Sequence, residues 1–170
     1  MEYSHLEGIN VGSGQHYAEG WLNTDIIPTD NGTQPDLLMS IYEYPMQFAK
    51  HEFKKAYVGH VLEHIEWGEP LTLAILAIAH TAEKVMVVGP CIEKALATSQ
   101  PQSLLDGIYA PTKIDQHPWS HKWTPTETST AKAIRDAGYE PHIVNIKDVR
   151  KPEWPNPSTA AWQTAMWFTA

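Results

Sequence analysis

Ile9-Asn10-Val11-Gly12-Ser13-Gly14, followed by Trp21-Leu22-Asn23-Thr24-Asp25-Ile26-Ile27, is the stretch whose reading decides the fold. Each half reads as a short apolar strand, the first running into a Gly-x-Gly turn and the second closing on an acid. A glycine turn at a strand end lets the backbone approach a ligand with no side chain in the way. The acid at the tip of the next strand is placed to accept hydrogen bonds from a ribose. Together they point to a nucleoside-shaped ligand. A nicotinamide dinucleotide fits poorly, because Gln15 and His16 follow Gly14 where a further glycine is needed, and Asp25 comes 11 residues after Gly14. In that fingerprint the acid lies about 20 residues beyond the glycines.

Outward from this stretch, β-type runs alternate with helical ones. Strand candidates cover 8–12, 21–26, 36–39, 55–60, 83–89, 141–147 and 159–169. Pro70 to Thr81 is apolar on nearly all sides with proline at an early position, the pattern of a buried helix packed on a sheet. Thr124-Pro125-Thr126-Glu127 reads as a capping box with proline at the first helical position, and Gly138 with Pro141 beyond closes that helix. The alternation implies an α/β fold: a three-layer sandwich around a mostly parallel sheet. Only nine residues, Gly12 to Gly20, join the first two strands, while a parallel crossover with its helix needs about ten to twelve. The first crossover helix is therefore expected to be reduced. No helix separates 141–147 from 159–169, only a Pro-rich loop at 150–157, so those two are expected to form an antiparallel pair at one side. A single domain over 1–170, with an insertion at about 90–123, accounts for the whole chain.

Composition narrows the function. A chain of 170 residues suffices for one domain with a full core. Twelve Lys and Arg against 20 Asp and Glu give a net charge of −8 with no basic run, which argues against a nucleic-acid groove formed by this chain alone. The single cysteine, Cys91, excludes an internal disulfide framework and suits a reducing compartment. Met1 to Gly8 has neither a basic start nor an apolar stretch, and the longest apolar run, Leu71 to Ala79, is too short to span a bilayer. A cytoplasmic location without a membrane partner is the expectation.

With the elements in order, Asn10-Val11-Gly12-Ser13-Gly14, Gly20-Trp21-Leu22-Asn23-Thr24-Asp25, Asp36-Leu37 and His60-Val61-Leu62-Glu63-His64 resemble a compact class I S-adenosylmethionine-dependent methyltransferase. Small proteins of this type also occur in phage genomes. The resemblance runs from Ile9 to about Gly89 and more loosely to Ala170. It implies a Rossmann-like fold, methyl transfer, and S-adenosylmethionine as cofactor. By the same resemblance Gly12 and Gly14, with Val11 and Ser13 between and beside them, face the methionine part. Asp25, with Ile26, meets the ribose; Asp36 and Leu37 meet the adenine; Gly59 and His60 lie near the sulfonium. A side chain at Gly12 would then project into the methionine volume.

His60-Val61-Leu62-Glu63-His64 admits a rival, because two histidines four apart on a helix with a glutamate between them bind zinc and activate water. A zinc hydrolase on His60, Glu63 and His64 would need a further ligand such as Glu66, Glu69 or Glu93. Lys55 to Gly59 reads instead as a strand end, which fits the methyltransferase position with no metal. The insertion carries Tyr109, Asp115, His117, Trp119, His121 and Trp123, a set suited to a lid and acceptor pocket or to plain anchoring. His60, His117 and His121 are the candidate catalytic bases. Cys91 follows the fifth strand and reads as a thiol of no catalytic role. The acceptor is a small molecule or a group borne by a partner. A protein that binds the cofactor without turnover is the remaining alternative.

Overall fold

Among the described residues seven strands make one sheet: β1 Gly8–Val11, β2 Trp21–Asp25, β3 Leu37–Leu38, β4 Phe53–Gly59, β5 Ala82–Pro90, β6 His142–Val144 and β7 Gln163–Thr169, in the order β3-β2-β1-β4-β5-β7-β6. The computed structural model describes residues 3, 5–28, 34–97, 121–149, 153–155 and 162–170. Strands β1 to β5 run parallel, and β7 lies antiparallel to both β5 and β6. The expected terminal pair forms, with β7 inserted between β5 and its partner. Among the described residues, 12–20 contain no helix, so β1 reaches β2 through turns alone.

Alternation along the strands sends side chains to two sides of the sheet. Val85, Val87, Met166 and Phe168 join one core with Ile9, Val11, Ala56 and Val58. On that side lie the short helix α1 Tyr44–Gln47, the long helix α2 Glu69–Thr81, and a later helix at Glu127–Asp136. On the other side Tyr57, Met86, Val88 and Ala165 pack with Trp21, Ile146, Val149 and Trp154. Among the described residues that layer is built from the 3-10 turn Ile146–Asp148 and non-helical chain around it, and Lys84 lies over Trp154 and Trp167 at 5.7 and 4.7 Å from the ring centroids, within cation–π range. A third helix, α3 Ile92–Ala97, follows β5, so the helix at 127–136 is α4.

The cap of α4 differs from the expected one. Thr126, not Thr124, is the N-cap: its hydroxyl accepts from Ser129 N at 2.9 Å, and the Ser129 hydroxyl accepts from Thr126 N at 2.8 Å. Pro125 therefore precedes the cap instead of opening the helix. The shift frees Glu127, whose carboxylate meets Lys94 Nζ at 2.6 Å and accepts from Thr164 Oγ1 at 3.1 Å. Lys94 holds the Glu127 carboxyl below its usual range, chiefly by donating a hydrogen bond.

Helix α2 buries most of its circumference and leaves a stripe of Glu69, Leu73 and Leu76 exposed. Leu71, Ala74, Ile75 and Ile78 are at most 1% exposed, whereas Leu73 is 48% exposed. Ile78→Ala should lower the unfolding free energy by about 2–5 kcal/mol through lost transfer energy and a residual cavity. Leu73→Ala should cost less than about 1 kcal/mol. Urea denaturation of both variants checks the packing, since comparable losses would mean that the helix is seated on a different face.

Candidate functional site

Two buried carboxamides do the work of the missing crossover helix. Asn10 Nδ2 donates to Asn23 Oδ1 and to His16 O, both at 3.0 Å, and Ala18 N donates to Asn23 Oδ1 at 2.8 Å. Asn23 Nδ2 lies within hydrogen-bonding distance of Ala18 O, Trp21 O and Asp36 Oδ2. The turn from 12 to 20 is thereby folded against β1 and β2, and its opening glycines curl over the strand ends.

Gly12 and Gly14 adopt φ of 62° and 49°, a region that L side chains rarely enter. A Cβ on Gly12 would overlap Val61 Cγ2, while one on Gly14 would meet nothing within 4 Å. A side chain at Gly12 would thus collide with the chain beyond β4 as well as stand at the cavity wall. Asp25, 5% exposed at the tip of β2, closes the loop. Its Oδ2 accepts from Gly14 N at 2.8 Å and its Oδ1 from Ile26 N at 2.7 Å.

These groups border a cavity of about 360 Å³ at the carboxyl ends of β1, β2 and β4, the place where open α/β sheets take their ligands. Val11, Gly12, Ser13, Gly14, Asp25, Ile26, Gly59 and His60 all line it. Asp36 and Leu37 do not. Asp36 accepts from Tyr17 Oη, Asn23 N and Asn23 Nδ2, and Leu37 packs against the core. The third strand is only two residues long, so the chain reaches the cavity later than expected, with Met39, Ser40, Ile41 and Tyr42 forming that wall. The signal for this wall was Ser40-Ile41-Tyr42-Glu43, a capping box in which Ser40 N donates to Glu43 Oε2 at 2.7 Å. Tyr44 completes the floor through a hydrogen bond between its hydroxyl and that of Thr24. Burial pushes its phenol well above the usual range, so it stays neutral.

At the tip of β4, His60 holds φ 57°, a strained conformation for a non-glycine residue. Gln163 Nε2 lies 2.5 Å from its Nε2. Nδ1 lies 3.2 Å from Glu63 Oε1, within ion-pair range but off the axis of a hydrogen bond. Beyond His60 the chain makes only a 3-10 turn, Leu62–His64, instead of an α-helix. His60 thus stands at a strand tip, as the reading of Lys55 to Gly59 as a strand end expects, and the rival arrangement of His60 and His64 on one helical face does not form. His64 gathers with Glu63 and His121, and His60 is not in that group. His121 is half-buried and does not line the cavity; His117, Tyr109, Asp115 and Trp119 lie outside the described residues.

No family model and no curated protein matches the chain. Solved structures do. A S-adenosylmethionine-dependent methyltransferase from Archaeoglobus fulgidus superposes with TM-score 0.63 at 10% identity over 99% of this chain and 89% of its own. The methyltransferase domain of bacterial CtHen1 gives TM-score 0.54 at 14% identity over 99% of this chain and 92% of its own. The Burkholderia thailandensis 1,6-didemethyltoxoflavin-N1-methyltransferase, solved with bound 1,6-didemethyltoxoflavin and S-adenosylhomocysteine, gives TM-score 0.56 at 9% identity over 99% of this chain and 72% of its own. The likeness is one of fold: a Rossmann-like mixed sheet of the methyltransferase type.

The contact between Gly12 and Val61 predicts a specific rescue. Gly12→Ala should cost more than the ~1–2 kcal/mol of a left-handed non-glycine residue, because Cβ also overlaps Val61. Adding Val61→Ala should return part of that loss. A denaturation-based double-mutant cycle measures the coupling, and strictly additive effects would show that Val61 is not the obstacle.

Proposed function

We propose that the cavity binds S-adenosylmethionine and that the chain transfers its methyl group to an acceptor entering beside His60. The reading is carried by one observation: a glycine loop and a buried carboxylate converge at the switch point of a methyltransferase-type sheet. Gly12 to Gly14 present backbone to the methionine end. Asp25 takes the ribose hydroxyls. A carboxylate offers about four acceptor positions, so those used by Gly14 N, Ile26 N and the longer bond from Ile27 N leave capacity for a hydroxyl. Ile26, Met39, Ile41 and Tyr42 supply apolar surface for the adenine.

When bound, the cofactor supplies an electrophilic methyl on a positive sulfur, and the protein's part is alignment and proximity. The strained backbone at His60 and the bare Gly59 set the acceptor side of the cavity. A second reading, binding without turnover, is favoured by the surroundings of His60, since Gln163 and Glu63 flank its two ring nitrogens. Incubation with methyl-labelled cofactor and a metabolite panel separates the two, because only a transferase moves label into an acceptor. Among the described residues no helix is long and apolar enough to cross a membrane, and the acceptor we favour is a small molecule or a group borne by a partner.

Asp25→Ala should weaken S-adenosylhomocysteine binding by about ten- to a hundredfold, the equivalent of ~1.5–3 kcal/mol for a charged hydrogen-bonding group. Calorimetry reads the affinity, and circular dichroism establishes that the variant is folded. A folded Asp25→Ala that binds as tightly as the parent removes Asp25 from the site.

A further inference from the structure

Glu63, His64 and His121 bring one potential ligand atom each to within 4.8 Å of the others. We propose that they form a binding site for one divalent transition-metal ion of the zinc type. The site stands whether or not the neighbouring cavity takes S-adenosylmethionine.

Two residues come from the turn after β4, and the third from a segment about 60 positions later. What joins them is independent of the ligand side chains. Lys122 N donates to Glu63 O at 2.8 Å, and the Trp123 indole N–H donates to Leu62 O at 3.1 Å. These bonds clamp His121 against the 3-10 turn, where its ring meets that of His64 edge-on, with centroids 5.0 Å apart. The Trp123 ring packs in turn on Trp67 at 5.0 Å. Zinc bonds of about 2.0–2.2 Å set tetrahedral ligand atoms about 3.3–3.6 Å apart, so small side-chain rotations close the site.

A second observation points to a cation. Glu63 is 2% exposed, and its Oε1 accepts no hydrogen bond. A buried carboxylate oxygen without a donor is destabilising, and a coordinated cation removes that penalty. The His60 ring, with Nδ1 3.2 Å from Glu63 Oε1, does not complete a hydrogen bond to it. Two imidazoles with one carboxylate suit zinc and its first-row neighbours, whereas magnesium and calcium favour sets made of oxygen alone. Three protein ligands leave a coordination position open. His64 also lines the cavity, so the ion would border it.

Metal binding can be read without any methyl acceptor. The full chain, freed of metal with a chelator, is titrated with Co²⁺ by visible absorption and with Zn²⁺ by calorimetry. One ion per chain is expected. His121→Gln and Glu63→Gln should each weaken binding by more than about tenfold, because even the loss of an outer-shell partner costs about 10–100-fold. His142→Gln, on exposed β6, should leave it unchanged. Circular dichroism identifies folded variants, and Glu63→Gln, close to isosteric, serves if the histidine variant fails to fold. The proposal is overturned if the parent binds no ion, or if several weak ions bind regardless of these substitutions. It is equally overturned if His60→Gln abolishes binding while folded His121→Gln does not. S-adenosylhomocysteine affinity, measured separately without metal, tells failure of this site from failure of the cofactor site.

Discussion

The buried carboxamide of Asn23 is the contact on which the rest of the site depends. A parallel pair of strands ordinarily needs a covering helix to carry the chain back, and here nine residues must suffice. Asn23, fully buried, solves this by satisfying backbone groups on both sides of the return at Ala18 and Trp21, while bonding Asn10 on β1 and Asp36 beside β3. Three adjacent strands are thus tied through one side chain. Each buried partner left without it would cost about 1–3 kcal/mol, so a hydrophobic residue of similar size is no substitute. Asp36 shares this duty by accepting from Asn23 N and Nδ2, and it stands outside the cavity lining.

Geometry at the strand tips follows from that tie. Once the return is pinned at His16 and Ala18, Gly12 and Gly14 must turn tightly, and their positive φ angles are the result. Asp25 then closes the loop from the neighbouring strand, so the same carboxylate that faces the cavity also holds the backbone that lines it. Such double use is economical for pre-organisation: the loop adopts its shape before a ligand arrives, and less ordering entropy is lost on binding. The close approach of Val61 in turn requires glycine at position 12, which links the glycine loop to the chain beyond β4.

The sheet, its parallel majority and its antiparallel edge were legible from the sequence because apolar runs and turn residues record them directly. All seven strand positions show this, as does α2, foreseen at 70–81 and observed at Glu69–Thr81. The glycine loop and the acid at Asp25 were legible for the same reason, since backbone conformation restricts the residue type. Met39 to Tyr42 were missed because strand β3 has only two residues, too few for periodicity to locate its end. The cap at Thr126 was misplaced because Thr124-Pro125-Thr126-Glu127-Thr128-Ser129 offers two overlapping frames, and the tertiary partners of Glu127, Lys94 and Thr164, decide between them.

His60 to His64 was the least legible segment, and the reason is conformational. A spacing of four places two side chains on one face only if the intervening backbone is helical. Here His60 takes a left-handed φ, Val61 packs toward Gly12, and only Leu62 to His64 turn as a tight helix. The strained residue directs His60 toward Gln163 at the cavity, while the turn carries Glu63 and His64 toward His121. One five-residue stretch therefore serves two places at once. A displacement of His64 is felt at the cavity wall and at the Glu63 cluster alike, and any ligand that fixes its position in one place changes the free energy of the other by the same coupling.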